Sequence, residues 1–164
     1  MLLFAGDLIA PSENPSEAVY GMVVIGSLLA AESGLHESYP DAIGSAALAA
    51  ILYWVAHGYS TMLGLRLAGN RQLTLRAFGQ ALRRDFALVR GALIPLLALA
   101  LAWSSGLAQD DGVTAALWST IASLVVLELV AGLRLHAGAR ELAFQVTVGL
   151  GLGLGILALK VILH

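Results

Sequence analysis

The chain has 164 residues, 59% of them hydrophobic and 12% charged, with net charge −2, mean hydropathy +0.83 and no cysteine. Soluble domains carry about 25% charged residues, so half that fraction excludes an ordinary soluble domain and implies a multi-pass membrane protein. The small net charge removes general polyanion binding, and the missing thiols remove disulfides, thiolate metal sites, iron–sulfur ligation and cysteine nucleophiles.

The chain opens on MLLFAGDLIAPSENPSE. This stretch has no basic n-region, and its apolar run is broken by Asp7 and ended by Pro11, so it does not read as a signal peptide. At about ten apolar residues it is too short to span a bilayer and reads as an interfacial or partner-contacting arm. Five segments long enough to span follow, at about 15–34, 40–67, 86–105, 112–133 and 142–163, forming one transmembrane domain over residues 1–164. The first starts with Asn14 as N-cap, Pro15 at the first helical position and Glu17 at the third. The third contains Pro95, and Asp110 and Asp111 complement the positive N-terminal dipole of the fourth.

The loops alternate in sign. Glu37 and Asp41 lie between spans one and two. Arg66, Arg71, Arg76, Arg83 and Arg84 lie between two and three, Asp110 and Asp111 between three and four, and Arg134 and Arg140 between four and five. The positive-inside rule then predicts a plasma (inner) membrane protein with its N-terminus cytoplasmic and its C-terminus outside. Ahead of the third span, at about 73–85, Leu75, Phe78, Leu82 and Phe86 fall at helical spacing with arginines on the other side. This predicts an interfacial amphipathic helix whose Arg71, Arg76, Arg83 and Arg84 meet anionic lipid headgroups. The expected fold is an all-α bundle of about five transmembrane helices plus this interfacial helix. An odd number of spans offers no simple inverted repeat.

An ionisable group inside a bilayer costs about 2.5–3.5 kcal/mol on insertion scales, so each one needs a partner or a wet cavity. Counted at 1.5 Å per residue from the span centres, His57, Arg90 and Glu128 fall at similar depth on spans two, three and four. Arg90 and Glu128 are expected to pair, either to fix helix register or as part of a polar site. Pro95 cannot donate to the carbonyl of Gly91, which leaves a polar group beside Arg90. Tyr53 and Thr61 flank His57 at i−4 and i+4, with Ser60 nearby, as a hydroxyl–imidazole–hydroxyl ladder. The ladder suits a water file or interhelical hydrogen bonding equally. Towards the other face, Glu32 and Lys160 form a second pair matched in depth, or reach separately to the interface. In the fifth span Gly149 and Gly153 form one GxxxG and Gly151 and Gly155 another, which suits close packing in the bundle or a homo-oligomer interface, a dimer above all.

The sequence carries no HExxH, no GxSxG elbow and no pair of intramembrane aspartates. DDGVTAAL touches the CDP-alcohol phosphotransferase pattern without its arginine or downstream aspartates. His36, His136 and His164 sit near interfaces, so a bis-histidine haem site is not expected. No cofactor, no metal site, no nucleic-acid partner and no enzymatic activity are read from the residues.

The stretches VYGMVVIGSLLAAE, LYWVAHGYSTMLG, FALVRGALIP, LELVAGLR and RELAFQ resemble a group of small multi-pass membrane proteins of actinobacterial type. The resemblance covers most of the chain, and its strongest element is Tyr53, Trp54 and His57. That group has no assigned activity, so the resemblance implies nothing about function. Two functions remain from the residues. One is a small channel or transporter for protons or a small ion or solute, with His57, Arg90, Glu128, Tyr53 and Thr61 at its polar site. The other is a non-catalytic accessory or scaffolding subunit of a membrane complex.

Overall fold

The computed structural model describes residues 15–32, 38–69 and 74–163. Among these there are six helices and no strand: α1 (Pro15–Glu32), α2 (Tyr39–Leu67), α3 (Leu75–Arg84), α4 (Ala87–Ser104), α5 (Gln109–Arg134) and α6 (Ala139–Leu163). Four of them, α2, α4, α5 and α6, are long and apolar enough to cross a membrane. The chain is therefore an all-helical protein of membrane-spanning type, and α3 falls where the amphipathic pattern predicts an interfacial helix.

Local chemistry sets the boundaries. Pro40 occupies the first turn of α2, where a missing N–H costs nothing, and Ser38 donates to Asp41 at 2.5 Å across that turn. Thr74 caps α3 by accepting from the Ala77 amide at 3.2 Å. Gly69 and Gly106, at φ +76° and +75°, take the left-handed conformation that ends α2 and α4.

The helices surround α1. It contacts α2, α4, α5 and α6, which follow one another around it in the order α2–α4–α5–α6. Ala18, Met22, Ile25, Leu29 and Ala30 are fully buried along it. The closest approach is to α4. A Cβ on Gly21 would strike the Leu88 carbonyl, and a Cβ on Gly91 would strike the Ala18 carbonyl. Two glycines thus let two backbones touch, the packing that membrane bundles use where lipid gives no hydrophobic drive between helices. On the outside, α2 presents Leu48, Ile51, Leu52 and Val55 and α6 presents Phe144, Val148 and Leu152. Such continuous apolar faces are stable only against lipid tails or another apolar surface.

The bundle has two chemically distinct ends. At the acidic end the Tyr39 hydroxyl donates to the carbonyls of Leu107 and Ala108 at 3.1 and 2.9 Å, and Ser45 donates to Glu32 at 2.9 Å. There too Lys160 meets Asp110 and Thr114, each at 2.7 Å. At the basic end α2 runs on beyond the start of α1, and α3 lies against this overhang. The Trp54 indole N–H donates to the Leu82 carbonyl at 2.9 Å, and Leu82 packs onto Gly58.

Candidate cation site at the basic end

Where α1, α2 and α4 begin to meet, three polar side chains converge. Glu17 sits in the first turn of α1, His57 on α2, and Asp85 in the turn between α3 and α4. His57 Nε2 lies 3.1 Å from Glu17 Oε2 and 4.0 Å from Asp85 Oδ2. One ligating atom from each residue falls within 4.8 Å of the other two.

The fold dictates this convergence. The Gly21–Gly91 crossing clamps Ala18 against α4, which brings the residue before it, Glu17, to the start of α4. Asp85 is held by its backbone: its amide donates to Ala81 at 3.0 Å, and its carbonyl accepts from Leu88 at 3.1 Å. Glu17 therefore lies at the N-terminus of α1, where the helix dipole favours negative charge, while Asp85 is both the C-cap of α3 and the residue before the Phe86 N-cap of α4, between two opposed dipoles. His57 reaches both because Trp54 and Gly58, its neighbours on α2, dock onto Leu82, and Trp54 meets Phe86 edge-on at 5.7 Å.

The electrostatics are incomplete. Asp85 is only 3% exposed. Glu17 Oε2 and Asp85 Oδ2 are buried acceptors with no hydrogen-bond donor, so the 3.1 Å approach of His57 is a close contact rather than a directed hydrogen bond. A buried acceptor left without a donor costs about 1–3 kcal/mol, more when charged. Two such oxygens aimed at one imidazole make a place where a cation, a proton or a water is strongly favoured. His57, with 28% of its side chain exposed, is the open side of the cluster.

The other residues singled out in the sequence lie elsewhere. Arg90 and Glu128, expected at one depth and as a pair, form no ion pair. Arg90 is exposed, with its guanidinium 5.7 Å from the Phe86 ring centroid, and the half-buried Glu128 packs its Cγ beside Gly149 of α6. The reason is rotational. Leu88, Gly91 and Ala92 turn inward to α1, so Arg90 points outward to Phe86 at i−4. Leu124 and Leu127 are the inward residues of α5, which leaves Glu128 on the flank facing α6. Tyr53 lies beside His57, ring centroids 6.2 Å apart. Thr61 instead lines a cavity of about 80 Å³ between α2 and α3 with Met62, Leu65, Gln80 and Arg84. The ladder is therefore split between two environments.

The expected outer pair also resolves differently, with Glu32 accepting from Ser45 and Lys160 donating to Asp110 and Thr114. Gly149 and Gly153 pack within the bundle, the latter against Ile121, while nothing lies within 4 Å of a Cβ on Gly151 or Gly155. Arg76 and Arg83 line an open recess on α3 with Gly79 and Gln80, and Arg84 is exposed beside them. Arg71 lies outside the described residues. Glu17 and Asp85 are the site residues that sequence reasoning missed, one read as a helix-start acid and the other passed over among arginines. The signal was present: Asp85 continues the apolar stripe Leu75, Phe78, Leu82 at i+3, and Glu17 is one helical turn from the buried Gly21.

The chain matches no known protein-family model, no curated protein and no solved structure.

Proposed function

We propose that the protein is a small transporter or channel that carries a small ion through a plasma membrane, with Glu17, His57 and Asp85 as its ion-binding station. The observation that carries this reading is the pair of buried, donor-less carboxylate oxygens converging on one imidazole inside a membrane-type bundle. The cluster lies at the basic-end mouth of the bundle with Asp85 buried, and buried ionisable groups in membrane bundles mark ion or proton paths by default. In this reading α1 is a fifth span. Its 18 residues extend about 27 Å, close to the hydrocarbon thickness, and connect the basic end to the acidic end. The basic end, with Arg66, Arg83, Arg84, Arg134 and Arg140, faces the cytoplasm.

The test is cation flux into liposomes carrying the purified protein. Glu17→Gln and Asp85→Asn should each lower flux by at least about tenfold while helicity and monodispersity persist, because each removes a charge that offsets ion desolvation. Glu128→Gln, on the α6 flank, should leave flux within twofold, on the order of ordinary surface-site effects. Wild-type flux in both Glu17→Gln and Asp85→Asn overturns the site. A second reading, an accessory subunit, draws support from Gly151 and Gly155, whose outward faces would let a helix of another chain approach closely. Absence of flux for every cation tried favours that reading instead.

A further inference from the structure

We infer that Glu17, His57 and Asp85 form a binding site for a first-row divalent transition-metal cation, with Glu17 Oε2, His57 Nε2 and Asp85 Oδ2 as ligands. This deepens the transport reading and rests on it only for the statement that the bound ion moves.

Three observations carry the inference. The first is the donor set. One imidazole and two carboxylates form a borderline set, suited to zinc, manganese or ferrous iron. A calcium site would draw on six or more oxygens, and a cuprous site on sulfur. The second is charge. Counted by themselves, two carboxylates and a neutral imidazole carry −2, which a divalent cation takes to zero, whereas a protonated imidazole leaves −1. Neutrality is the cheap state in a medium of low dielectric. The third is the pair of orphaned acceptors. Asp85 is 97% buried, since it is 3% exposed, and its Oδ2 has no donor although it is aimed at the same point as Glu17 Oε2.

The geometry is close to what a metal asks. Ligands at 2.0–2.2 Å in a tetrahedron lie about 3.3 Å apart. The Glu17–His57 separation of 3.1 Å is already there, and the 4.0 Å to Asp85 closes with a movement of under about 1 Å, within reach of a side-chain torsion. Three protein ligands leave a fourth position for water or an incoming ligand. The exposed part of His57 marks the side from which an ion arrives.

The experiment is calorimetric titration of the full chain in detergent with zinc chloride, repeated with cobalt chloride so that the ligand field is read by visible absorption. The expected result is one zinc per chain. The affinity should fall by at least about 100-fold in Asp85→Asn and in His57→Gln, and the cobalt d–d band should weaken in both. His136→Gln, in the turn after α5 and outside the three-residue cluster, should bind as wild type. Because Asp85→Asn alters a buried group, thermal unfolding without metal shows whether it folds, and the more exposed His57→Gln decides if it does not. No zinc binding in the wild type overturns the inference and leaves flux of other cations to judge the transport reading. Binding that survives both site variants overturns it equally, as adventitious binding. Stoichiometric binding without zinc flux keeps the metal site and overturns the transport reading.

Discussion

At Gly21 and Gly91 a hydrogen atom stands where any other side chain would meet a backbone carbonyl of the facing helix. Backbone yields far less readily than the end of a flexible side chain. Gly21→Ala and Gly91→Ala should therefore each lower the unfolding free energy by about 1–3 kcal/mol, the usual cost of overpacking. Gly151→Ala, with open space around its Cβ, should stay within about 0.5 kcal/mol. Thermal unfolding in detergent followed by circular dichroism separates the two cases, and equal effects at Gly91 and Gly151 would contradict the crossing. The same residues explain why the site was only half legible. His57 stands out in an apolar run, and its depth follows from counting. Its partners do not, because Glu17 is placed by the Gly21–Gly91 contact, about 70 positions apart, and Asp85 by the docking of Leu82 onto Gly58 and Trp54, which is also non-local. Local pattern carries no information at that separation.

Among the elements, α3 is the one whose form and position were both readable. Leu75, Phe78 and Leu82 give it an apolar stripe, Thr74 caps it, and Arg76 and Arg83 line an open recess. What the stripe rests on was not readable. Its Leu82 end rests on α2, at Gly58 and the Trp54 indole, while Leu75 at the other end is 90% exposed. Trp54→Phe keeps the ring and removes the donor to Leu82, at a cost of about 0.5–1.5 kcal/mol. Amide exchange across α3 should then quicken by roughly threefold to tenfold, while α5 stays unchanged. Unaltered exchange in α3 would mean that Leu82 on Gly58 suffices to hold it. The turn at Asp85 joins α3 directly to α4, so a looser α3 also shifts the Asp85 carboxylate.

For the whole molecule, sequence fixes depth and leaves azimuth open. Helix lengths and loop charges divide the bundle into an acidic and a basic end, and contacts such as Tyr39 to Ala108 and Trp54 to Leu82 respect that division. Arg90 and Glu128, placed at one depth by counting, face Phe86 and Gly149, because rotation about each helix axis is set by packing against α1. The central place of α1 also bears on how the chain is made. This helix precedes the other five in the chain, it is the one long helix outside the four apolar enough to cross a membrane, and most of its contacts are with α4, α5 and α6, which are made after it. During synthesis its carboxylate-bearing first turn has neither Asp85 nor the Gly91 groove to settle against. A chain cut after Leu67 should hold α1 loosely at the insertion machinery, exposed to an added glycosylation tag on either side. A chain that reaches Leu163 should hold it fixed. On this expectation, helices later in the chain set the orientation of α1.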